Sequence, residues 1–584
     1  MSPERRSEPR WGRRVLLALG AVLVALVFGV TTASVESSLG PHEARYDVTT
    51  DDTVTIDLGP LGTLLINSPL PLTLGVRVTV QEIPASVTQL SQAKTLEALS
   101  GDLQSYLAFF SGPRATVQDV ARALVVDALV RTGGAFVVLV GAWWLLRMLV
   151  GSARWEELRA RAEEHRRAAV AAGLVVLVGA TVLTSSVGAD EQPVASRPTS
   201  AVFDGTPLQG AEVTGRLGGV IDTYGGQVVA ELRKNDEFYA KANASLKVAW
   251  DTRQALIDEQ DARAERAEAA ASASPSTSAS SEPLASSEPL ASSEPLESSE
   301  APTPSGTAGP SGPSETPSEE PVPSDDHLLT IVVISDLHCN VGMAPLITTL
   351  VKRSGAQLVL DAGDDTLNGT TVEQYCVTTF ARAIPNGVEL VTSPGNHDSS
   401  DTSKRYARAG AKVLDGSVVT VDGMRILGDK DPNETRVGAG GTAQATKETA
   451  AQEAARLAKT ACAAKDGVDL LLIHTPFVGE NTLDRGCSPA QISGHLHKRY
   501  GPEQIGDGIR YISSSTAGAT LGKPTIGPLN GVAEMTVLRW NPSTRLFVDY
   551  QIVQVRPDTT ASVFPRLRWP LAAPVPSVPA VPHP

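Results

Sequence analysis

Residues 328–338 read Leu-Leu-Thr-Ile-Val-Val-Ile-Ser-Asp-Leu-His, an apolar run that ends in polar residues and opens the last third of the chain. An apolar, β-branched run such as 328–334 predicts a buried strand. Asp336 and His338 follow that strand at alternate positions. Side chains at alternate strand positions point the same way, so we expect both to face one metal ion.

Four further short motifs each follow an apolar run: Gly363-Asp364, Gly395-Asn396-His397-Asp398, His474 and Gly494-His495-Leu496-His497. The five motifs together hold five of the nine histidines of the protein. A lone histidine at a strand end is more often a structural residue than a ligand, so the argument depends on the joint pattern. Carboxylate, amide and imidazole donors without a thiolate suit Mn, Fe or Zn. The motifs therefore predict a transition-metal site at the strand ends.

In this order the motifs resemble those of the calcineurin-like metallophosphoesterase superfamily, over residues 327–556. The resemblance implies a four-layer α/β/β/α sandwich and hydrolysis of a phosphate ester by two metal ions that activate water. It implies that the first ion is held by Asp336, His338, Asp364 and His497. It implies that the second ion is held by Asp364, Asn396, His474 and His495. Finally, it implies that His397 contacts the phosphate and protonates the leaving group, with Asp398 orienting His397.

Two departures from the family pattern argue against two of its subfamilies. Purple acid phosphatases carry a tyrosine ligand where this chain has Leu367, and protein Ser/Thr phosphatases carry an arginine in the second motif that is missing here. Phosphodiesters and phosphomonoesters both remain open as substrates. Among the basic residues between the third and fourth motifs, Lys430 is the candidate phosphate contact. The alternative function is a non-catalytic module that binds or senses an envelope phosphate polymer.

The chain after the last motif is predicted to complete the domain. Residues 509–513 and a hairpin of 532–540 with 546–555 are expected to close the second sheet. The Pro-rich stretch 557–584 is predicted to be a disordered tail.

Three apolar runs precede this domain, at residues 15–35, 130–150 and 168–187. Each approaches the ~20 residues that a transmembrane helix needs. The basic stretches 1–14 and 151–167 are predicted to be cytoplasmic by the positive-inside rule. We therefore expect a multi-pass bacterial-type membrane protein that contacts the lipid bilayer through three helices and carries its catalytic domain outside the cytoplasm.

Alternatives to this membrane topology, and to the role of the membrane region, stay open. The first run also fits a secretion signal, and the second and third fit a buried helical hairpin in a soluble domain. A further alternative gives the membrane region the main function, with the phosphoesterase regulating it. The spans hold few ionisable groups, which does not favour transport.

The regions between the spans and the domain differ in composition. Residues 36–129 are predicted to form an external β-rich module, because apolar residues alternate at 54, 56, 58 and at 76, 78, 80. Residues 188–271 are predicted to form a membrane-proximal module that ends in a helix. The Ser/Pro/Glu-rich stretch 272–326 is predicted to be a disordered linker.

Net charge and cysteine content bear on the binding partners and on the cellular compartment of the protein. The 584-residue chain has a formal net charge of −15, which argues against binding to a nucleic-acid backbone. All four cysteines lie in the C-terminal domain: Cys339, Cys376, Cys462 and Cys487. Outside the cytoplasm they would form two disulfides in one of three possible pairings, whereas inside they would stay reduced.

Overall fold

The computed structural model describes residues 10–39, 42–57, 62–68, 70–71, 73–80, 113–164, 211–213, 226–273, 327–370, 373–436, 441–520, 525 and 527–573. The chain divides into two compact units. The first comprises Met1–Ala249 together with Asp326–Pro584, and the second comprises Trp250–Asp325.

The N-terminal part of the first unit combines two helices with a six-stranded sheet. The helices are α1 (Arg10–Thr31) and α2 (Pro113–Glu164). The strands are β1 (Ser34–Leu39), β2 (His42–Thr49), β3 (Thr53–Asp57), β4 (Thr63–Asn67), β5 (Gly75–Val80) and β6 (Glu212–Val213), in the sheet order β1-β2-β5-β3-β4-β6. Strands β3 and β5 coincide with the two alternating apolar patterns. Val120 and Leu124 of α2 pack against Ala44, Tyr46 and Val78 of this sheet.

The helices differ in extent from the predicted membrane spans. Among the described residues, one helical segment is long and apolar enough to cross a bilayer, Val117–Gly151 of α2. The apolar part of α1, Ala18–Thr31, is shorter, and β1 begins at Ser34, so the first span does not reach residue 35. The predicted loop 151–167 is helical to Glu164, with a break at Gly151 (φ 73°). The third predicted span, 168–187, lies outside the described residues.

Helix α3 (Gly226–Ala273) follows, and its bounds cross from the first unit into the second. It ends two residues beyond the predicted 188–271 module. The remainder of the predicted linker, 274–326, lies outside the described residues.

The C-terminal domain has two mixed sheets. The first, in the order β10-β9-β8-β7-β19-β20-β21, contains β7 (Leu329–Ile334), β8 (Leu358–Asp361), β9 (Glu389–Thr392), β10 (Lys412–Val413), β19 (Ala533–Asn541), β20 (Leu546–Val555) and β21 (Ala561–Arg568). The second, in the order β11-β12-β15-β16-β18-β17, contains β11 (Val418–Val421), β12 (Met424–Leu427), β15 (Leu470–Leu472), β16 (Ala490–Ser493), β17 (Tyr500–Ile505) and β18 (Gly508–Ile512). A separate ribbon pairs β13 (Asn433–Arg436) with β14 (Gly441–Gln444).

The two sheets face each other across one apolar core. Ile331 and Val333 of β7 pack in this core together with Ile426 of β12 and Leu472 of β15. The described part of this domain has five α-helices: α4 (Ala344–Ser354), α5 (Gln374–Ala383), α6 (Ser400–Arg408), α7 (Ala450–Ala463) and α8 (Glu480–Asp484). Helix α4 packs on β7, and α7 packs on the outer face of the second sheet. These mixed α/β sheets are consistent with the fold that the family resemblance implies.

Two predictions about the end of the domain are wrong. The hairpin β19–β20 does not close the second sheet, because β19 pairs antiparallel with β7 in the first. Residues 561–569 are part of the fold, since β21 pairs with β20 and Trp569 lies in the inter-sheet core, while 574–584 lie outside the described residues. Pro565 is compatible with β21 because this strand is at the sheet edge, where a missing N–H breaks no ladder.

Candidate metal centre

The predicted ligands gather where the strands of the two sheets end. Asp336 follows β7, Asp364 follows β8, and Asn396 follows β9 in the first sheet. His474 follows β15 and His495 follows β16 in the second. Strands β7, β8 and β9 run parallel, so their carboxyl ends lie at one edge of the sheet. The strand order thus brings together side chains that are up to 161 positions apart, from Asp336 to His497.

A first cluster consists of Asp336, His338, Asp364 and His497. One potential ligand atom from each of these residues lies within 4.8 Å of those of the other three. The Nε2 atoms of His338 and His497 are 2.9 Å apart, and His497 Nε2 is 3.5 Å from Asp336 Oδ1. Two carboxylates and two imidazoles therefore converge on one small volume.

A second cluster consists of Asp364, His474 and His495, again with potential ligand atoms within 4.8 Å of one another. His474 Nε2 lies 3.1 Å from Asp364 Oδ2. The amide oxygen of Asn396 lies 3.0 Å from His474 Nε2 and 2.9 Å from His495 Nδ1. Asp364 belongs to both clusters.

The backbone at these residues is not a continued strand. Five of the predicted ligands have a positive φ: Asp336 (53°), His338 (41°), Asp364 (62°), His495 (74°) and His497 (53°). Left-handed conformations cost free energy for residues with a Cβ, and they concentrate at functional sites. The prediction that strand alternation aims Asp336 and His338 is therefore corrected: tight left-handed turns direct these side chains to the first cluster.

A close approach of two loops brings the second and third motifs together. Gly363 has φ 88°, and a Cβ at this position would lie 2.4 Å from the backbone nitrogen of Gly395. A Cβ at Gly395 would lie 2.2 Å from Asp364 Oδ1. Glycine at both positions lets the two loops pack backbone to backbone beside the shared carboxylate.

Hydrogen bonds on the outer side of the cluster orient its donors. The Nδ1–H of His474 donates to the carbonyl of Ala362 over 2.6 Å, which leaves Nε2 as the ligand atom of the neutral ring. The Asn396 amide nitrogen donates to Thr435 Oγ1 over 2.7 Å, which turns its oxygen inward. Ser335 Oγ donates to Asp336 Oδ2 over 2.6 Å.

Electrostatics favour positive charge at the second cluster. Burial alone would lower the pKa of His474, but the neighbouring Asp364 and Asp336 raise that pKa to about 10. Burial would raise the pKa of Asp364, but His474 and His397 hold it well below its usual value. Burial lowers the pKa of His338 to about 3, which keeps that ring neutral. The negative field that raises the pKa of His474 also attracts a metal cation, which would take the place of the proton on that ring.

The donor set therefore fits two metal ions. The converging atoms are carboxylate oxygens, an amide oxygen and ring nitrogens, all of which can offer lone pairs. Several of these ring nitrogens and oxygens lie only 2.9 to 3.2 Å from one another. A cation between them could accept lone pairs from all of them. The first cluster has the donors for one ion, and the second, with Asn396, has the donors for another.

His397 lies beside the first cluster, but Asp398 does not orient it. The rings of His397 and His338 are 5.0 Å apart between centroids. The Nδ1–H of His397 donates to the carbonyl of Leu367 over 2.6 Å. The imidazole is thus oriented by a main-chain carbonyl, and the predicted carboxylate–imidazole pair is corrected.

Asp398 instead holds the loop of the second motif. Its carboxylate accepts hydrogen bonds from the backbone N–H groups of Asp364 (2.9 Å), Thr366 (3.1 Å) and Gly395 (2.9 Å), and from Thr366 Oγ1 (2.9 Å). Burial and the nearby Asp364 raise the pKa of Asp398 to about 6. Asp398 is therefore a positioning residue for Asp364, the residue that the two clusters share.

Sequence reasoning missed two residues on β13. Thr435 orients Asn396, as described above. The guanidinium of Arg436 donates to the carbonyls of Asn396, His397 and Asp398 over 3.2 to 3.3 Å, so it braces the third motif. The predicted phosphate contact Lys430 has an exposed side chain. No motif marks Thr435, because its role depends on where the ribbon folds back.

The cysteines form two disulfides, Cys339–Cys376 and Cys462–Cys487, with Cα–Cα distances of 5.2 and 4.9 Å. This selects one of the three pairings that the sequence left open. Cys339 directly follows His338, so the first disulfide ties the loop of the first motif to α5.

Residues 329–499 match the family model of calcineurin-like phosphoesterases. The match covers all the predicted ligands together with His397 and Asp398, and it confirms the resemblance for this part of the chain. The chain therefore contains a calcineurin-like phosphoesterase domain with a potential metal-binding site. No curated protein matches the chain.

Several solved structures are similar to part of the chain at low identity. A novel archaeal phosphodiesterase is 12% identical over 39% of this chain and 100% of its own, with a TM-score of 0.25. The protein TT1561 of Thermus thermophilus is 12% identical over 39% of this chain and 99% of its own, with a TM-score of 0.28. A novel phosphatase of Mycoplasma pneumoniae is 10% identical over 39% of this chain and 94% of its own, with a TM-score of 0.28. Similarities at this level carry no argument about the substrate.

Proposed function

We propose that the protein is a membrane-anchored, extracytoplasmic phosphoesterase that uses two metal ions to hydrolyse phosphodiesters or phosphomonoesters. The observation that carries this proposal is the position of Asp364, whose carboxylate belongs to both donor clusters. A carboxylate shared by two clusters is the arrangement that holds two ions close together, as two-metal hydrolysis requires.

The donor sets assign the ligands. Asp336, His338, Asp364 and His497 would hold one ion, and Asp364, Asn396, His474 and His495 would hold the other. These oxygen and nitrogen donors suit Mn, Fe or Zn. When bound, the ions would supply an activated water and charge stabilisation for the phosphate.

His397 is the proposed proton donor to the leaving group. Its Nδ1–H is committed to the Leu367 carbonyl, so Nε2 is the atom that can carry and release a second proton. The ring is only partly buried and lies next to His338, at the rim of the first cluster. A positioned imidazole of this kind can transfer a proton to the oxygen that departs from phosphorus.

The membrane placement is supported by the surface of α2. Large apolar side chains on this helix are exposed, from Val125 (59%) to Leu149 (76%). A contiguous exposed apolar surface of this length indicates contact with lipid. Basic residues, among them Arg154, follow the apolar segment, and the positive-inside rule puts that end in the cytoplasm.

The extracytoplasmic placement has two supports. The C-terminal domain contacts α2 near its beginning, through Asp119, which is the end opposite to Arg154. Both disulfides lie in this domain, and disulfides persist in oxidising compartments outside the cytoplasm.

The test is hydrolysis by the full-length protein in detergent micelles. The protein would be stripped of metal and then supplied with Mn, Zn or Fe, with bis-p-nitrophenyl phosphate and p-nitrophenyl phosphate as substrates. We expect metal-dependent turnover that is lost in Asp364→Asn. The matched control is Asp401→Asn, an exposed carboxylate on α6 that should leave turnover unchanged.

Three results would separate the possibilities. Preference for the diester would favour a phosphodiesterase, and preference for the monoester a phosphatase. Binding of two ions without turnover of either ester would contradict the proposed phosphoesterase activity. It would favour the alternative, a non-catalytic phosphate-binding module.

A further inference from the structure

One carboxylate on α2 connects this helix to the C-terminal domain. Asp119 Oδ2 accepts a hydrogen bond from Arg405 of α6 over 2.5 Å, and Asp119 Oδ1 pairs with Arg382 of α5. All three side chains are about three-quarters buried, with exposed fractions of 26 to 29%. Partly buried, charge-assisted contacts are stronger than exposed ion pairs, so this contact can define an orientation.

The contact lies at a defined edge of the first sheet. Asp119 and Arg122 line a cleft of about 720 Å³ together with the segment 385–390, which leads into β9. The segment 408–411, which leads into β10, lines the same cleft. Helix α2 therefore meets the domain at the edge where these parallel strands begin.

The metal centre lies at the opposite edge. Asn396 comes after β9 and Asp364 comes after β8, at the ends of strands that run parallel to each other. Strand β9 is four residues long, which at about 3.3 Å per residue separates the two edges by roughly 13 Å before the loops are added.

The lipid-facing part of α2 continues away from the domain. The cleft at the domain is lined by Gln118, Asp119 and Arg122 of α2, and the exposed apolar surface runs from Val125 to Leu149. At 1.5 Å per residue this surface begins within about 10 Å of Asp119 along the helix axis. The domain edge near the bilayer is also basic: Arg382, Arg405 and Arg408 all line the cleft there, and basic residues are attracted to anionic headgroups.

We propose that Asp119, by pairing with Arg382 and Arg405, holds the domain with its metal centre turned away from the bilayer, so that its substrates are phosphate esters in the aqueous or cell-wall phase rather than bilayer phospholipids. The substrate class rests on the proposed phosphoesterase activity, whereas the orientation rests only on the proposed membrane anchoring through α2.

The orientation can be measured without any turnover. Two variants of the full-length protein would each gain one free cysteine, Asn386→Cys at the cleft edge or Phe477→Cys at the edge of the metal centre, and carry a bimane fluorophore on it. Both residues are exposed, and all native cysteines are in disulfides. In nanodiscs that contain headgroup spin-labelled lipid, we expect strong quenching at position 386 and little at 477. Equal quenching, or stronger quenching at 477, would overturn the proposal.

The role of Asp119 has its own variant and control. Asp119→Asn should reduce the difference in quenching between the two positions at least two-fold, with turnover of bis-p-nitrophenyl phosphate unchanged. Glu389→Gln removes an exposed carboxylate that lines the same cleft and should change neither measurement. An unchanged quenching difference in Asp119→Asn would refute its role in orientation.

The substrate class is tested in the same nanodiscs, made of phosphatidylcholine and phosphatidylglycerol. We expect the metal-loaded protein to hydrolyse the soluble diester and to release no phosphorylated headgroup from the discs. Headgroup release at a rate similar to that for the soluble diester would overturn the inferred substrate class. Absence of turnover on every ester would contradict the proposed function while the quenching data still decide the orientation.

Discussion

The side chain of Asn396 donates to Thr435 Oγ1 over 2.7 Å, and the same amide places its oxygen 3.0 Å from His474 Nε2. One hydrogen bond thus decides which end of the amide faces the second cluster. Thr435 in turn lies 2.8 Å from Thr442 Oγ1 across the ribbon of β13 and β14. A short ribbon outside both sheets therefore controls a predicted metal ligand.

Replacing Thr435 tests this control. Thr435→Val keeps the shape and removes the acceptor, so Asn396 loses its orientation. Partners that orient metal ligands typically contribute 10- to 100-fold in metal affinity or activity, and we expect a loss of about ten-fold in affinity for one of the two ions. Thr435→Ser, which keeps the hydroxyl, should behave like the wild type. Isothermal titration of the metal-stripped protein would measure both; equal affinities in both variants would contradict the prediction.

Helix α3 contributes to the surroundings of the first motif through Tyr239. Its hydroxyl donates to Asn340 Oδ1 over 2.8 Å, and a Cβ at Gly342 would lie 2.2 Å from its ring. Gly342→Ala should therefore destabilise the protein by about 1 to 3 kcal/mol through overpacking. In a Tyr239→Ala background the same change should cost much less. A double-mutant cycle from thermal or denaturant unfolding measures this coupling, and simple additivity would show that the contact does not form.

Trp569 tests whether the chain beyond residue 556 belongs to the domain. Its ring packs against Phe547, Tyr511 and Tyr550, with centroid distances of 4.9 to 6.2 Å. Trp569→Ala should lower the free energy of unfolding by about 3 to 5 kcal/mol. Leu571→Ala, two residues further on, removes a side chain that is 72% exposed and should have little effect. Similar unfolding midpoints for the two variants would place the domain boundary before β21.

Glu453 predicts a pH dependence of stability. Burial and the nearby Asp429 and Asp431 raise the pKa of this carboxyl from 4.5 to about 8, so the folded protein holds a proton that the unfolded chain releases. The stabilisation that the protonated Glu453 gives the folded state is complete below about pH 4.5, and it is lost as the pH rises through about 8.

We therefore expect Glu453→Gln to match the wild type at low pH and to be more stable by a few kcal/mol at about pH 9. Unfolding midpoints of both proteins across this pH range would show the difference. A constant difference at all pH values would mean that Glu453 does not titrate between the folded and unfolded states.

The residue types at the candidate metal centre were predictable because each of the five motifs follows an apolar run. Asp336 after β7 and His474 after β15 depend on local pattern, since a buried strand that ends in a polar residue is visible in a few consecutive positions. The same holds for Gly363, whose positive φ a glycine allows at low cost. The order and spacing of such motifs carried the resemblance, and the family match confirms it.

The local pattern of the sequence therefore predicted the strands that precede the motifs, the donors at the ends of these strands and the apolar run of α2. The tertiary structure decided the partners: Thr435 for Asn396, the backbone N–H groups for Asp398, β7 for β19, and Arg382 with Arg405 for Asp119. It also decided the pairing of the four cysteines. The physical reason is that periodicity and turn preference act over a few residues, whereas a hydrogen bond, a sheet edge or an ion pair joins segments whose proximity exists only after the chain has folded.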